Sequence, residues 1–533
     1  MKKVLSILLV LAFCFALVGC GSKPAATEAP AAAEAPAAAA VVENVEAVVD
    51  ESRTDYDTVV IALQGELTTL DHQYASDDGN MRPITWNIYE PLIRLNGETL
   101  AAEGVLAESW TNVDDLTWEF KLRQGVKFHN GNDFNADDVV YSVTRVLSTE
   151  LNSQIMSSID TWDHAEKVDD YTVRIITKQP DPIMEKRVAM VPMFDAEYTQ
   201  AIIDAEGQNG LTDVANGTGP YKFVEWKTGD YAAIEAFEGY WGEAPAIKNA
   251  KFRFLEERLT SLNALEAGEI DLAVNMYPEY VPELPKAVSQ QSNECYWVRF
   301  NQINDRIFKN LDARLAAAYG VQTEAIATAL FQGYATPAAG QMGRPGFVGY
   351  SESVKAYGYD YAKASEYLAA SGYAGEEVEF VSERGRWLKD GEVTEAVAAD
   401  LQALGFNVAT KFLAWQEWLD MLYDKERVPD LFFSSNGNDF YDMDRPFSVI
   451  CSSRGNQSAT LPSEWDDKIA AAQSEMDPVA RQAMYDELNQ HYFDDPYAIY
   501  LLGADALYGA AVDLDWAARR DTQILVAEMS YAK

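Results

Sequence analysis

Apolar and polar positions along the chain predict strands and helices that alternate over its whole length. Leu116, Trp118, Phe120 and Leu122 alternate with polar residues, which is the period of a half-buried strand. A helix is predicted soon afterwards, because Asn135 can cap it and apolar residues then recur on one face. Further strands are predicted over 56–63, 172–176, 221–226 and 270–274, and further helices over 259–267, 361–370, 393–404 and 478–492. The alternation indicates a mixed α/β protein of several domains.

The N-terminal segment has the pattern of an exported protein. Lys2 and Lys3 precede an apolar run over 4–18, which at about 15 residues is shorter than the roughly 20 that a spanning helix needs. The run ends in Leu17-Val18-Gly19-Cys20, which resembles the lipobox of bacterial lipoproteins. We therefore expect a signal peptide over 1–19 and a diacylated Cys20. This lipid places the protein on the extracytoplasmic face of the plasma membrane.

Residues 20–54 differ in composition from the rest of the chain. They are rich in Ala, carry Pro24, Pro30 and Pro36, and contain no aromatic residue. Such a segment cannot bury a core of its own. It is predicted to be an extended tether between the lipid and a folded body.

Composition and charge exclude several classes of function. A hydrophobic fraction of 48% and an aromatic fraction of 12% allow the body to form a large core. The formal net charge of −42 argues against a nucleic-acid partner, because phosphate binding relies on Lys and Arg. Once Cys14 and Cys20 are set aside, Cys295 and Cys451 are left, and a disulfide and two separate buried thiols both remain open.

The motifs of common enzymes are absent from the sequence. There is no G-x-S-x-G elbow, phosphate-binding loop, H-E-x-x-H helix or C-x-x-C pair. The four histidines are scattered and none has a second His or Cys at ligand spacing. We therefore predict no catalytic residue, no metal site and no cofactor.

Several blocks of the sequence, taken in order, resemble bacterial extracellular solute-binding proteins of ABC importers, in their dipeptide, oligopeptide and nickel-binding group (family 5). The longest block runs over 116–142, and shorter ones lie at 89–94, 217–223, 240–242 and 267–271. Together the matching blocks extend over nearly all of residues 56–500.

The resemblance implies a clamshell of the type II periplasmic-binding-protein kind, with two lobes joined by hinge strands near residues 300 and 495. The implied bounds are 55–94, 216–300 and 496–533 for lobe I, 95–215 for an inserted domain and 301–495 for lobe II. The implied protein is a monomer that closes on its ligand between the lobes and delivers it to the membrane permease.

A short peptide is the expected ligand, and its chemistry nominates binding residues. A free α-amine requires a carboxylate, and an α-carboxylate suits an Arg fork. The resemblance implies that the amine is bound in a Gly-, Asn- and Asp-rich loop of lobe II. Asp439 is the first choice there, with Asp442 and Asp444 as alternatives. A solvent-facing turn residue is the other interpretation of Asp439.

For the carboxylate end, Arg384 and Arg386 follow a predicted strand over 378–381, and a surface ion pair is the other interpretation of either side chain. Trp415 and Trp418 are candidate cleft walls, although spacing of this kind on a helix also fits a core position. An oligosaccharide or another organic solute is an alternative ligand, which Asn436 and Asn438 could bind through its hydroxyl groups. A nickel complex is a third alternative.

Overall fold

In a computed structural model, residues 47–50, 52–75 and 79–533 are described. The strands are β1 Thr58–Leu63, β2 Ile93–Leu95, β3 Ala102–Gly104, β4 Ala107–Asp114, β5 Thr117–Leu122, β6 Trp162–Asp169, β7 Thr172–Thr177, β8 Tyr221–Lys227, β9 Tyr231–Ala236, β10 Asn249–Phe254, β11 Leu272–Ala273, β12 Lys286–Phe300, β13 Ala335–Pro337, β14 Glu377–Glu383, β15 Asn407–Leu413, β16 Leu431–Gly437, β17 Ala498–Ala510, β18 Leu514–Asp515 and β19 Ser530–Tyr531. The helices are α1 Arg82–Thr85, α2 Ala136–Leu147, α3 Met184–Val188, α4 Ala196–Glu206, α5 Arg258–Glu266, α6 Leu311–Gly320, α7 Thr323–Phe331, α8 Tyr361–Ala370, α9 Asp390–Leu404, α10 Trp415–Tyr423, α11 Trp465–Ser474 and α12 Pro478–Asp494. Predictions that fall on residues 1–46, including the lipid on Cys20, lie outside the described residues.

Several helices and strands predicted from local sequence patterns are present in the structure. The Asn135 side chain accepts the Asp137 N–H at 2.8 Å, and the Asp138 carboxylate accepts the Asn135 N–H at 2.9 Å, so α2 begins with a capping box. The predicted strands at 116–122 and 172–176 are confirmed as β5 and β7. The strand predicted over 270–274 is shorter than expected, because only Leu272–Ala273 pairs with neighbours.

One large sheet runs through two lobes, in the order β15-β14-β16-β12-β17-β11-β1-β10-β9-β8, and β13 pairs with β17. The β1 and β8–β11 half belongs to lobe I, and the β14–β16 half belongs to lobe II. The long strands β12 and β17 pair with each other and also with strands of both halves. They are therefore the strands that join the lobes.

A separate antiparallel sheet, ordered β4-β5-β7-β6, forms the inserted domain together with α2. Its own buried core includes Phe120, Val143, Trp162 and Ile175. Lobe I and lobe II each have a core as well, around Ile61 and Phe252 in the first lobe and around Val298 in the second. These separate cores confirm a two-lobed α/β fold with an inserted domain, whereas the exact domain bounds remain a prediction.

Buried Glu90 connects several of the sequence blocks that carry the resemblance. Its carboxylate accepts hydrogen bonds from Thr218 Oγ1, Tyr240 Oη and Trp241 Nε1, each at 2.9 Å. Burial raises the pKa of this carboxyl group. The nearby Gly217 packs so closely on Ile88 that a Cβ there would lie 2.0 Å from the Ile88 carbonyl oxygen. Residues from separate sequence blocks therefore contact one another in the buried interior of the protein.

The end of the predicted tether contacts lobe I. The Val48 N–H donates to the Val512 carbonyl oxygen at 2.9 Å. The Arg53 guanidinium binds Asp513 and also Asp271, the latter at 2.7 Å. Val48 and Arg53, at the end of the predicted tether, thus contact the folded body.

Cys295 and Cys451 are both buried and are not joined by a disulfide. This settles the alternative that the sequence left open in favour of two separate thiols. In residues 47–50, 52–75 and 79–533, no helix combines the length and the apolar character that crossing a membrane requires.

Candidate ligand-binding site

A cavity of about 180 Å³ lies at the sheet centre, where the two lobes meet. Lobe I contributes α1, the start of α5 and residues 521–524, and lobe II contributes residues 386–388 and the loop after β16. The joining strands β12 and β17 form its floor. This volume is more than ten times the roughly 10–15 Å³ that a cavity needs to hold one water molecule. That space suits a ligand of dipeptide or small tripeptide size.

A bulge in β12 directs polar side chains into this cavity. The pairing of β12 with β17 shifts between Gln291 and Cys295, and the residues of the bulge are Ser292, Asn293 and Glu294. A bulge bends a strand and changes the direction of its side chains. Here the bulge places three polar residues of β12 on the wall of the site.

Asp439 lies on the cavity wall with hydrogen-bonding capacity to spare. Its carboxylate accepts from Asn293 Nδ2 at 2.7 Å and pairs with Arg82 Nη1 at 3.2 Å, and 28% of the side chain is exposed. A carboxylate has about four acceptor positions. Asp439 can therefore accept further donors from a ligand.

Arg386 reaches the cavity because of the turn between β14 and α9. Gly385 has a φ of +102°, and the Asp390 carboxylate accepts the N–H groups of Gly385 and Trp387, the latter at 2.8 Å. The guanidinium lies over the ring of Trp415, 5.5 Å from its centroid. In the described part of the chain, no carboxylate is within ion-pair distance of this guanidinium.

The same turn contains a buried pair of carboxyl groups, and it makes the stability of the turn depend on pH. Burial and the neighbouring Asp390 raise the pKa of Glu383 from its usual 4.5 to about 8. A raised folded-state pKa stabilises the fold fully below the unfolded value, and this contribution disappears as the pH rises through the folded value.

We predict that Glu383→Gln flattens this dependence, because the amide stays neutral. Between about pH 5 and pH 9, the free energy of unfolding of the wild type should fall by roughly 1–3 kcal/mol more than that of the variant. Urea unfolding at several pH values measures both slopes. Glu392→Gln, an exposed change on the helix α9 that follows the turn, is the control, and equal slopes for wild type and Glu383→Gln would contradict the prediction.

A second guanidinium lines the cavity from lobe I. Arg258 Nε donates to the Asn275 carbonyl oxygen at 2.7 Å, and Nη1 donates to Tyr277 Oη at 3.1 Å. The guanidinium also stacks on the Tyr277 ring. These contacts hold it in place without neutralising its charge.

Three residues that line the cavity have the left-handed backbone conformation. They are Asn275, Tyr441 and Thr522, with φ values of 51°, 49° and 58°. This conformation is costly for residues other than Gly, and it is retained where the surrounding structure enforces it, often at functional sites. Its concentration here supports the assignment of the cavity as the functional site.

Contacts across the cleft hold the two lobes together around the cavity. Lys389 Nζ of lobe II pairs with Glu279 Oε1 of lobe I at 2.5 Å, in addition to the Arg82–Asp439 pair. Tyr441 Oη donates to the Arg520 carbonyl oxygen at 2.5 Å. The lobes are therefore in a closed arrangement.

Four other residues nominated from the sequence, Arg384, Trp415, Trp418 and Asn438, lie outside the cavity wall. Arg384 points away and pairs with Glu395 at 2.5 Å, which is the surface ion pair considered as its alternative. Trp418 is buried against Phe432, and Trp415 stacks on Trp418, so both support Trp387, which does line the cavity. Trp418 has a core position, because α10 packs against Val381 of β14 and Phe432 of β16, whereas 42% of Trp415 is exposed.

Asn438 and the alternative aspartates make contacts within the protein. Asn438 Nδ2 donates to the Asp442 carbonyl oxygen at 2.7 Å and so shapes the loop, and Asn436 belongs to β16, where its backbone pairs with Cys295. Asp442 is fully buried and paired with Arg481 at 2.8 Å. Asp444 is buried beside Arg187, and burial raises its pKa to about 6. Neither alternative aspartate lines the cavity, because both serve buried ion pairs.

Several cavity residues were not predicted from the sequence. They include Arg82, Trp86, Arg258, Glu294, Tyr296 and Trp387. Trp387 follows Arg386 directly, so extending that loop by one residue identifies it. The others lie in strands and helix ends whose local patterns carry no sign of a ligand.

A cavity closed between two lobes that share hinge strands defines a two-lobed solute-binding protein. The sequence model of the bacterial extracellular solute-binding proteins, family 5, middle region, matches residues 101–458. The chain therefore belongs to this family. Because it is a family of solute-binding proteins, the prediction that the chain is not an enzyme is confirmed.

Individual proteins are similar over different spans. The glutathione-binding protein GsiB of Escherichia coli (strain K12) is 30% identical over 322 residues, which are 59% of this chain and 61% of GsiB. The chain thus matches less than two thirds of the length of this curated relative. DppA of Helicobacter pylori in complex with the peptide STSA has a TM-score of 0.76 at 22% identity, covering 89% of this chain and 98% of DppA. AppA of Bacillus subtilis in complex with a nonapeptide also has a TM-score of 0.76, at 21% identity over 89% of this chain and 99% of AppA. The two solved structures confirm the fold.

Proposed function

We propose that this protein is the peptide-binding component of an ABC importer. It captures a short peptide between its lobes as a monomer and delivers it to the permease. Cys20 carries the lipid that holds it at the extracytoplasmic face of the plasma membrane. Release of a Cys20→Ala variant from the membrane fraction is the check on that anchor, and retention would contradict it.

The observation that carries the proposal is that two side chains of opposite charge, Asp439 and Arg386, line the same cavity. Asp439 has free acceptor positions for an α-amine, and Arg386 offers a guanidinium without a carboxylate partner for an α-carboxylate. Burial is the main cause of the raised pKa of Glu294. Both charges also act on this carboxyl group, since Asp439 raises its pKa and Arg386 lowers it. The two therefore lie around the same space, as the two ends of a short peptide require.

The ligands of similar proteins support a peptide. GsiB is a glutathione-binding protein, and DppA and AppA have been solved with peptides. A bare nickel ion has less support. Among residues 47–50, 52–75 and 79–533, no three His, Cys, Asp or Glu side chains are grouped so as to hold a metal.

A thermal-shift screen of the purified full-length protein tests the proposal. Peptides of two to five residues, including glutathione, are compared with oligosaccharides and a nickel–histidine chelate. A ligand that binds only the folded state at about 100 times its Kd stabilises it by about 2.7 kcal/mol, so peptides should raise the melting temperature by several degrees. Shifts with sugars or the chelate alone would replace the peptide assignment.

A further inference from the structure

The charged residues of the cavity wall fall into two groups, those with an ion-pair partner and those without one. Three acidic side chains on the wall already have arginine partners. These pairs are Arg82–Asp439 at 3.2 Å, Arg344–Asp505 at 2.6 Å and Arg519–Asp521 at 2.6 Å. The remaining acid, Glu294, is buried, which raises its pKa, and its carboxylate accepts a hydrogen bond from Ser435 Oγ.

Two guanidinium groups on the wall are left without a carboxylate partner in the described residues. Arg258 is held by a carbonyl oxygen and a tyrosine hydroxyl, and Arg386 lies over the ring of Trp415. Their isolation is not caused by a shortage of acids, since the chain has 84 Asp and Glu against 42 Lys and Arg. Arg384, two residues from Arg386, does pair with Glu395. The cavity thus presents two guanidinium groups that have no carboxylate of the described residues within ion-pair distance.

On the basis of the proposed function, we propose that the preferred peptide is acidic, with one amine and two carboxylates. Asp439 binds the amine, Arg386 binds the terminal carboxylate, and Arg258, across the cleft on lobe I, binds the carboxylate of an Asp or Glu side chain. A peptide with a neutral side chain would leave Arg258 without a counter-charge in a closed cavity, which is unfavourable. An acidic side chain gives it a charge-assisted hydrogen bond.

Calorimetric titration of the full-length protein with matched dipeptides tests this inference. The pairs are Ala-Glu with Ala-Gln and Asp-Ala with Asn-Ala, which differ only in carboxylate against amide. A hydrogen bond to a charged group predicts that the acidic member of at least one pair binds about 10- to 100-fold more tightly. Equal affinity within both pairs would overturn the inference and leave the proposed function standing, whereas no binding of any peptide would overturn both.

Two variants test whether Arg258 binds the acidic side chain of the peptide. Arg258→Gln should bring the acidic peptide to the affinity of its amide partner and leave the amide peptide nearly unchanged. Arg253→Gln is the matched control, because Arg253 is on the same lobe but pairs with Glu269 and lies outside the cavity wall. If Arg258→Gln weakens the binding of both peptides of a pair equally, Arg258 does not recognise the side chain and its assigned role is wrong.

Discussion

Replacing Asp439 with Asn should weaken the binding of a free-amine dipeptide by about 100-fold and leave the melting temperature nearly unchanged. Truncating one partner of a buried, hydrogen-bonded charge pair costs about 2–5 kcal/mol, and about 2.7 kcal/mol corresponds to 100-fold in Kd. Stability changes little, because 28% of the Asp439 side chain is exposed and its pair with Arg82 is therefore partly screened by solvent. Titration calorimetry and thermal unfolding of the unliganded protein measure the two effects.

A double-mutant cycle separates the amine contact from an indirect effect. Acetylating the peptide N-terminus removes its charge and should weaken binding to the wild type to a similar extent. Acetylation should then have little further effect on the Asp439→Asn variant, because the two changes remove the same contact. If the wild type binds acetylated and free peptides equally well, Asp439 is not the partner of the amine.

The fold could be predicted from the sequence for two reasons. Some of its determinants are local patterns, and others are buried residues within the blocks that resemble family 5. Asn135 and Asp138 form a capping box that is readable within four residues. The blocks that resemble family 5 meet around Glu90, which binds Thr218 and Tyr240 in the interior. A resemblance carried by such residues reports the architecture and the class of protein, and it carries little information about the ligand.

The cavity could be predicted only in part, because its walls come from distant segments. Arg82, Arg258 and Thr522 are far apart along the chain and meet only through the order of strands in the sheet. The choice between Arg384 and Arg386 also depends on a distant group. Both follow the same strand, but the Asp390 carboxylate fixes the turn that directs Arg386 to the cavity. No periodicity in the sequence encodes that turn.

Asp442, three residues after Asp439, should show the opposite behaviour. We predict that Asp442→Asn destabilises the protein by about 3–5 kcal/mol, which is the usual cost of breaking a buried ion pair from one side. Asp442 is fully buried, and its carboxylate oxygens bind Arg481 at 2.8 and 2.9 Å. Lys186 of the inserted domain lies 3.7 Å from the same carboxylate, so the change leaves two buried cations without their counter-charge.

Urea unfolding of the unliganded protein measures this loss as a lower transition midpoint. Asp439→Asn is the matched control, since it makes the same chemical change in the same loop. A double variant, Asp442→Asn with Arg481→Met, should recover part of the stability, because it removes one of the two uncompensated charges. An unchanged midpoint in Asp442→Asn would show that the buried ion pair with Arg481 does not stabilise the fold. It would also reopen Asp442 as a ligand-binding residue.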